Sequence, residues 1–226
     1  MAKMHKHRLL FAKEGRAIYI SHLDLMRTFP RAFLRAGLNA KATEGYHQHT
    51  FVSIAIPLTL GFSSRCEILE FELLDDIPLN TVPGRLNAVL PEGIVVLQCY
   101  EAEKPVKQIA YLDWECRLTY DSGIPDGAAE HLLDPFGADS YVIQKPSKKS
   151  KKGYVELDLV PLIHEAHVSV EDEHMLIVYA TLAAQNPGLN PEILIDAAVQ
   201  ANPLYRADFS EYTRCEIKTA DFEIFR

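Results

Sequence analysis

None of the four cysteines, Cys66, Cys99, Cys116 and Cys215, belongs to a C-x-x-C pair. The closely spaced thiolates of a zinc site or an iron–sulfur cluster are therefore missing, and the cysteines read as reduced, buried thiols. Long hydrophobic runs are missing too. No window approaches the roughly 18 apolar residues of a membrane span. G-x-G-x-x-G, the P-loop, H-E-x-x-H and G-x-S-x-G are all absent, so the common cofactor, phosphate, zinc-hydrolase and nucleophile-elbow signatures do not apply. Cationic residues are in the minority. There are 23 Lys and Arg against 31 Asp and Glu, a net charge of −8, which argues against non-specific nucleic-acid binding by the whole surface. The N-terminal stretch has no apolar h-region or small-residue cleavage site, so a cytoplasmic protein without membrane attachment is expected.

What is present is an ordinary globular composition, 48% hydrophobic and 24% charged over 226 residues, long enough for two domains. Charge is unevenly spread. Residues 1–50 hold nine Lys and Arg against three acids, a balance of +6, and the remainder carries −14. Such a basic segment on an acidic body could bind an anion alone, or the two halves could neutralise each other.

Hydrophobic periodicity suggests strands at residues 6–12, 17–20, 38–44, 51–60, 65–74 and 94–100, with helices at 21–37 and 79–90. Ser21-His22-Leu23-Asp24 has the form of an N-terminal capping box, and Gly37 is a C-terminal stop. His22, Leu25, Phe29, Phe33 and Ala36 share one helical face, while Arg27, Arg31 and Arg35 follow the opposite one. Pro30 lies inside this helix and should kink it. The order β-α-β-β-α-β is the ferredoxin-like arrangement. Beyond a boundary near Pro105 a similar order recurs, with strands at 109–120, 140–144, 154–159, 175–183 and 205–219 and helices at 125–133 and 190–199. The expectation is an α+β chain of two tandem ferredoxin-like (βαββαβ) domains with antiparallel sheets, 1–104 and 105–226.

The sharpest cluster of chemistry-bearing residues is Arg16, Tyr19, His22, Asp24 and Arg27 with the loop Tyr46-His47-Gln48-His49. If that loop folds over the helix start, imidazoles, a tyrosine and arginines converge. They could bind phosphate, or do acid–base work on an RNA 2′-hydroxyl with His22, His49 and Tyr19 as catalytic groups. Equally, His22 reads as a hydrogen-bonded core residue, Asp24 as a cap, and the Arg27–Arg31–Arg35 stripe as a solvated face. Lys145, Lys148, Lys149, Lys151 and Lys152 make a basic hairpin loop that could contact phosphates or simply be a solvated tip. His5 and His7 lie at strand period two but lack a third ligand at matching spacing, so no metal site is assigned.

The run Phe11-Ala-Lys-Glu-Gly-Arg-Ala-Ile-Tyr-Ile-Ser-His-Leu-Asp-Leu-Met-Arg27, with Ser-His-Leu-Asp as its specific part, resembles a bacterial family of radical-SAM-linked proteins. The likeness continues through Arg35-Ala-Gly-Leu, Glu44-Gly45, Ile56-Pro57-Leu58 and Leu60-Gly61, and fades to element order after about residue 105. Where that family has a proline in its Glu-Gly loop, this chain reads Glu44-Gly-Tyr-His-Gln-His49. The resemblance implies a domain fused to or encoded beside radical SAM proteins, and often beside an RNase of the E/G type. Any iron–sulfur cluster and SAM would then belong to the partner, with no cofactor in this chain. Three functions are expected to compete: an accessory module that binds RNA or docks an RNA-acting enzyme; a metal-independent RNA-processing or RNA-modifying enzyme; and a protein–protein interaction module.

Overall fold

In the computed structural model, which describes residues 6–44, 46, 48–146 and 152–226, the chain is an α+β protein with few helices and antiparallel strand pairs. It divides into two units, Met1–Gln108 with Ile224–Arg226, and Ile109–Glu223. The expected boundary lay at 104/105. That the last three residues return to the first unit was not legible in sequence.

In the first unit, β1 (His7–Lys13) leads through a 3-10 turn, Gly15–Tyr19, into α1 (His22–Arg35). Ser21 caps α1 as its sequence suggests: the Asp24 amide donates to Ser21 Oγ at 3.2 Å, and that hydroxyl donates to Asp24 Oδ2 at 2.7 Å. Gly37, at φ +61°, ends the helix, and the Leu38 amide reaches back to the Phe33 carbonyl at 2.9 Å. The helix continues through Pro30. Next come β2 (Ser53–Ile54), β3 (Ser63–Phe71), α2 (Val82–Asn87) and β4 (Ile94–Glu101). The strand order is β4-β1-β3-β2. Leu9 and Phe11 of β1, with Leu69 and Phe71 of β3, present one buried face to Leu25, Phe29 and Phe33 of α1 and Leu86 of α2. Phe11 meets Phe29 edge-on at 4.9 Å, and Phe33 lies 4.8 Å from Phe71.

Three local expectations differ. Residues 17–20 are not a strand, because Ala17 turns inward where the Ala17 and Ile20 amides bond to Glu14 and Ala17 carbonyls. Residues 38–44 form only two isolated bridges, Ala40 to Leu73 and Ala42 to Thr50. The stretch 51–60 shrinks to the two residues of β2. An apolar run bounded by Pro57 and Gly61 has the composition of a strand but too few neighbours to form a long ladder.

The second unit comprises β5 (Ile109–Thr119), α3 (Ala128–His131), β6 (Val142–Pro146), β7 (Tyr154–Asp158), β8 (Ile163–Asp172), β9 (Met175–Ala183), α4 (Pro191–Ala201) and β10 (Phe209–Thr219). Its main sheet runs β10-β5-β9-β8, and β6 with β7 makes a separate two-stranded sheet. The segments expected as strands at 140–144 and 154–159 pair with each other as β6 and β7, and β8 was not among the expected strands. His-Glu-Ala-His-Val-Ser-Val-Glu-Asp reads as polar because β8 is an edge strand with its outer residues in solvent. On β5 and β9 the paired positions Leu112–Leu182, Trp114–Ala180, Cys116–Val178 and Leu118–Leu176 form the buried face.

Candidate nucleic-acid interface

Lys13, inside the Phe11–Arg27 run, contributes no exposed charge. It is buried, and its ammonium donates to the Ile18 carbonyl at 2.9 Å, tying the 3-10 turn to β1. The Glu14 amide bonds to the Gly93 carbonyl at 2.8 Å, which fixes the other side of the same turn. Arg16 and Tyr19 are thereby displayed outward on a braced loop, Tyr19 with 72% of its surface exposed.

The stripe continues along α1. Leu23 is 66% exposed and Leu34 73%. Arg27 lies 3.4 Å from Asp24 in a solvent-exposed pair that contributes little stability. Arg31 is exposed and, like Arg16, has no ion pair among the described residues. Arg35 donates to the Val89 carbonyl at 2.8 Å and fastens the helix end. Leu23, Arg27, Arg31 and Leu34 lie on one outer face of α1 by helical spacing, cationic with large apolar groups between the charges, and Arg16 and Tyr19 are exposed in the turn that precedes it.

The catalytic reading fares differently. Tyr19 and His22 are neighbours at the start of α1, but His49 is not near them. A Gly61–Ile18 backbone bond places the start of α1 beside the start of β3. The Lys41 amide bonds to the Glu72 carbonyl, and Thr43 Oγ1 lies 3.3 Å from His49 Nδ1, so the His49 hairpin leaves from the opposite end of β3. The length of β3, about 26 Å from Ser63 to Phe71, separates them. His22 is half-buried, and its Nδ1 is enclosed with no hydrogen-bond partner among the described residues. Among the described residues no side chain bonds to this nitrogen to orient the ring, as a general base requires. His47, Lys148, Lys149 and Lys151 lie outside the described residues, as does His5; Lys152 is exposed in a turn. Among the described residues, no three His, Cys, Asp or Glu side chains gather as a metal site, and no helix is long and apolar enough to cross a membrane.

Over residues 6–191 the sequence fits the model of uncharacterized proteins conserved in bacteria, DUF2344. The chain belongs to that family. No curated protein matches it in sequence. Among solved structures it is similar to a chain of a Cbf5-Nop10-Gar1 complex, with a TM-score of 0.52 and 9% identity, covering 96% of this chain and 50% of that one. The chain therefore spans about half the length of that neighbour, and at such identity the likeness concerns the fold alone. The acetolactate synthase small subunit from Thermotoga maritima aligns over 94% of both chains at 10% identity, but its TM-score of 0.26 adds nothing to the assignment.

Sequence reasoning found the arginine stripe but missed the apolar groups interleaved with it, because helical period alone does not reveal that Leu23 and Leu34 face solvent. It also missed a cavity of about 490 Å³ in the second unit, between β6 and α4. Its only sequence signal is the i, i+3, i+4, i+7 spacing of Ile193, Asp196, Ala197 and Gln200.

Proposed function

We propose that this protein is an accessory module that holds single-stranded RNA along the outer face of α1. The observation that carries the reading is that Arg16 and Tyr19, in the turn before α1, and Arg31, on α1, are all exposed, with no ion pair to either arginine among the described residues. Arginines attract a phosphate backbone, and an aromatic face stacks on any base, a combination that binds single strands without reading sequence. The two units are read as tandem ferredoxin-like domains, supported by the orders β4-β1-β3-β2 and β10-β5-β9-β8. The partner is a radical SAM protein or an RNase of the E/G type acting in the cytoplasm on the RNA held here, as the Ser21-His22-Leu23-Asp24 resemblance implies.

The test is fluorescence anisotropy with labelled oligouridine at varied salt. About three phosphate contacts give a slope near −2 in log K against log salt, or about 20-fold weaker binding from 50 to 200 mM. Arg16→Gln with Arg31→Gln should flatten the slope by about 1.4. Absence of binding at low salt, or an unchanged slope in the double variant, refutes the reading. A second reading, docking to an acidic protein, is favoured by Leu23 and Leu34, since bases gain little from aliphatic side chains. Nuclease-insensitive co-purification that is lost with Leu23→Ser would select it.

A further inference from the structure

The β6–β7 hairpin has an open edge, and the cavity lies along it. The Leu159 amide donates to the Tyr141 carbonyl at 2.9 Å, so Tyr141 and Leu159 form a hydrogen-bonded pair. In an antiparallel ladder such pairs alternate with non-bonded ones. By the register Val142–Asp158, Ile143–Leu157, Gln144–Glu156 and Lys145–Val155, the bonded pairs are those of Ile143 and Lys145. Val142 and Gln144 therefore aim their amides and carbonyls away from β7. No further strand pairs with β6 among the described residues. The cavity is lined by consecutive residues 141–145 on this side and by one face of α4, Ile193, Asp196, Ala197 and Gln200, on the other. Tyr141 bridges the two walls, its hydroxyl donating to the Ala197 carbonyl at 3.2 Å.

We propose that this groove accepts one extended segment of a partner polypeptide as a third strand on β6. A strand edge with unused donors and acceptors beside a helix face takes an extended peptide by backbone hydrogen bonds, with alternate side chains in the pocket. Volume supports this occupant, since about 490 Å³ suits two or three apolar side chains. Charge narrows its composition. The outward residues Glu192 and Asp196 of α4 are acidic, and α4 contains no Lys or Arg. Among the described residues that line the cavity, Lys145 is the one cation. The segment therefore carries alternating apolar residues, with lysine or arginine opposite Asp196 and an acidic residue toward Lys145. The groove is separate from the RNA-binding reading and does not depend on it.

The probe is the synthetic octapeptide acetyl-Thr-Val-Lys-Ile-Lys-Val-Glu-Thr-amide, together with its reversed sequence to cover both strand directions. Titration of the full chain should move NMR signals at residues 141–145 and 193–200, with half-saturation at about 0.1–1 mM. Gln144→Pro removes one outward amide while leaving the bonded pairs with β7 intact, and should weaken binding about tenfold. Asp196→Lys should weaken it about fivefold. Should Gln144→Pro misfold, N-methylation of alternate amides in the probe tests the same bonds in the unaltered protein: one methylation register abolishes binding and the other spares it. Signal changes outside this groove, no change with either peptide at millimolar concentration, or equal binding of both methylated registers overturns the proposal.

Discussion

Arg8 offers the most direct test of how the first unit closes. Its side chain is 1% exposed and makes four hydrogen bonds: two to Glu70 Oε1, at 2.7 and 3.2 Å, one to the Lys104 carbonyl at 2.6 Å and one to the Arg226 carbonyl at 3.1 Å. Its guanidinium also lies 4.8 Å from the centre of the buried Phe225 ring. One cation thereby ties β1 to β3, to the chain after β4 and to the C-terminus. Arg8→Met keeps an apolar stem but strands Glu70 and two carbonyls. Breaking a buried pair costs about 3–5 kcal/mol. Glu70 retains some water, and Lys6 stands 3.9 Å away, so the lower end applies, about 3 kcal/mol. Arg8→Met with Glu70→Leu removes both charges and should recover most of the loss, to within about 1 kcal/mol of the parent. Trp114, the single tryptophan, lies in the second unit, so its fluorescence does not report this change. Hydrogen exchange of the β1 amides does. A loss below about 1 kcal/mol in Arg8→Met, or a double variant no more stable than the single one, refutes the argument.

Gly93→Ala should destabilise the first unit by more than about 2 kcal/mol, because φ is +85° and a Cβ would strike the Glu14 carbonyl and come within 2.8 Å of Ala17 Cβ. Gly61→Ala, at φ +87° with open space around it, should cost only about 1 kcal/mol, and thermal melting compares the two. Asn190→Ala removes the cap whose Oδ1 accepts from the Glu192 amide at 2.9 Å and should lower stability by about 1 kcal/mol, read by denaturant titration. Burial pushes the Cys99 and Cys116 thiols and the Tyr120 hydroxyl up to about 12. These groups stay protonated in the fold when the unfolded chain has begun to ionise, so their contribution is complete below about pH 9 and is lost as pH rises toward 12. Native protein at pH 8 should accordingly leave Cys99 and Cys116 unlabelled by a thiol reagent until denaturant is added; rapid labelling of either in the native state contradicts the burial argument.

Local chemistry was readable wherever one short stretch carries its own geometry. Ser21 and Asp24 announced a cap, Gly37 a stop, and the spacing of Leu25, Phe29 and Phe33 a buried face, because each depends on neighbours within a few residues. The alternation in β3 and the apolar runs of β5 and β9 were visible for the same reason. Long-range pairing decided the rest. The sequence of β8 looks like a loop until its edge position is known, and residues 38–44 and 51–60 look like strands until the shortage of partners is seen. Lys13 counted toward the basic balance of residues 1–50 but is buried, and Arg8 spends its charge closing a unit. His49 looked near His22 because a loop of unknown direction lay between them; the direction of β3 sends them apart. By itself the sequence determined which segments could be helix or strand and where cations cluster, since those follow from spacing along the chain. Which cations reach solvent, which strands share a sheet and where an edge stays open were settled only in three dimensions, because burial and register depend on residues far apart in the chain.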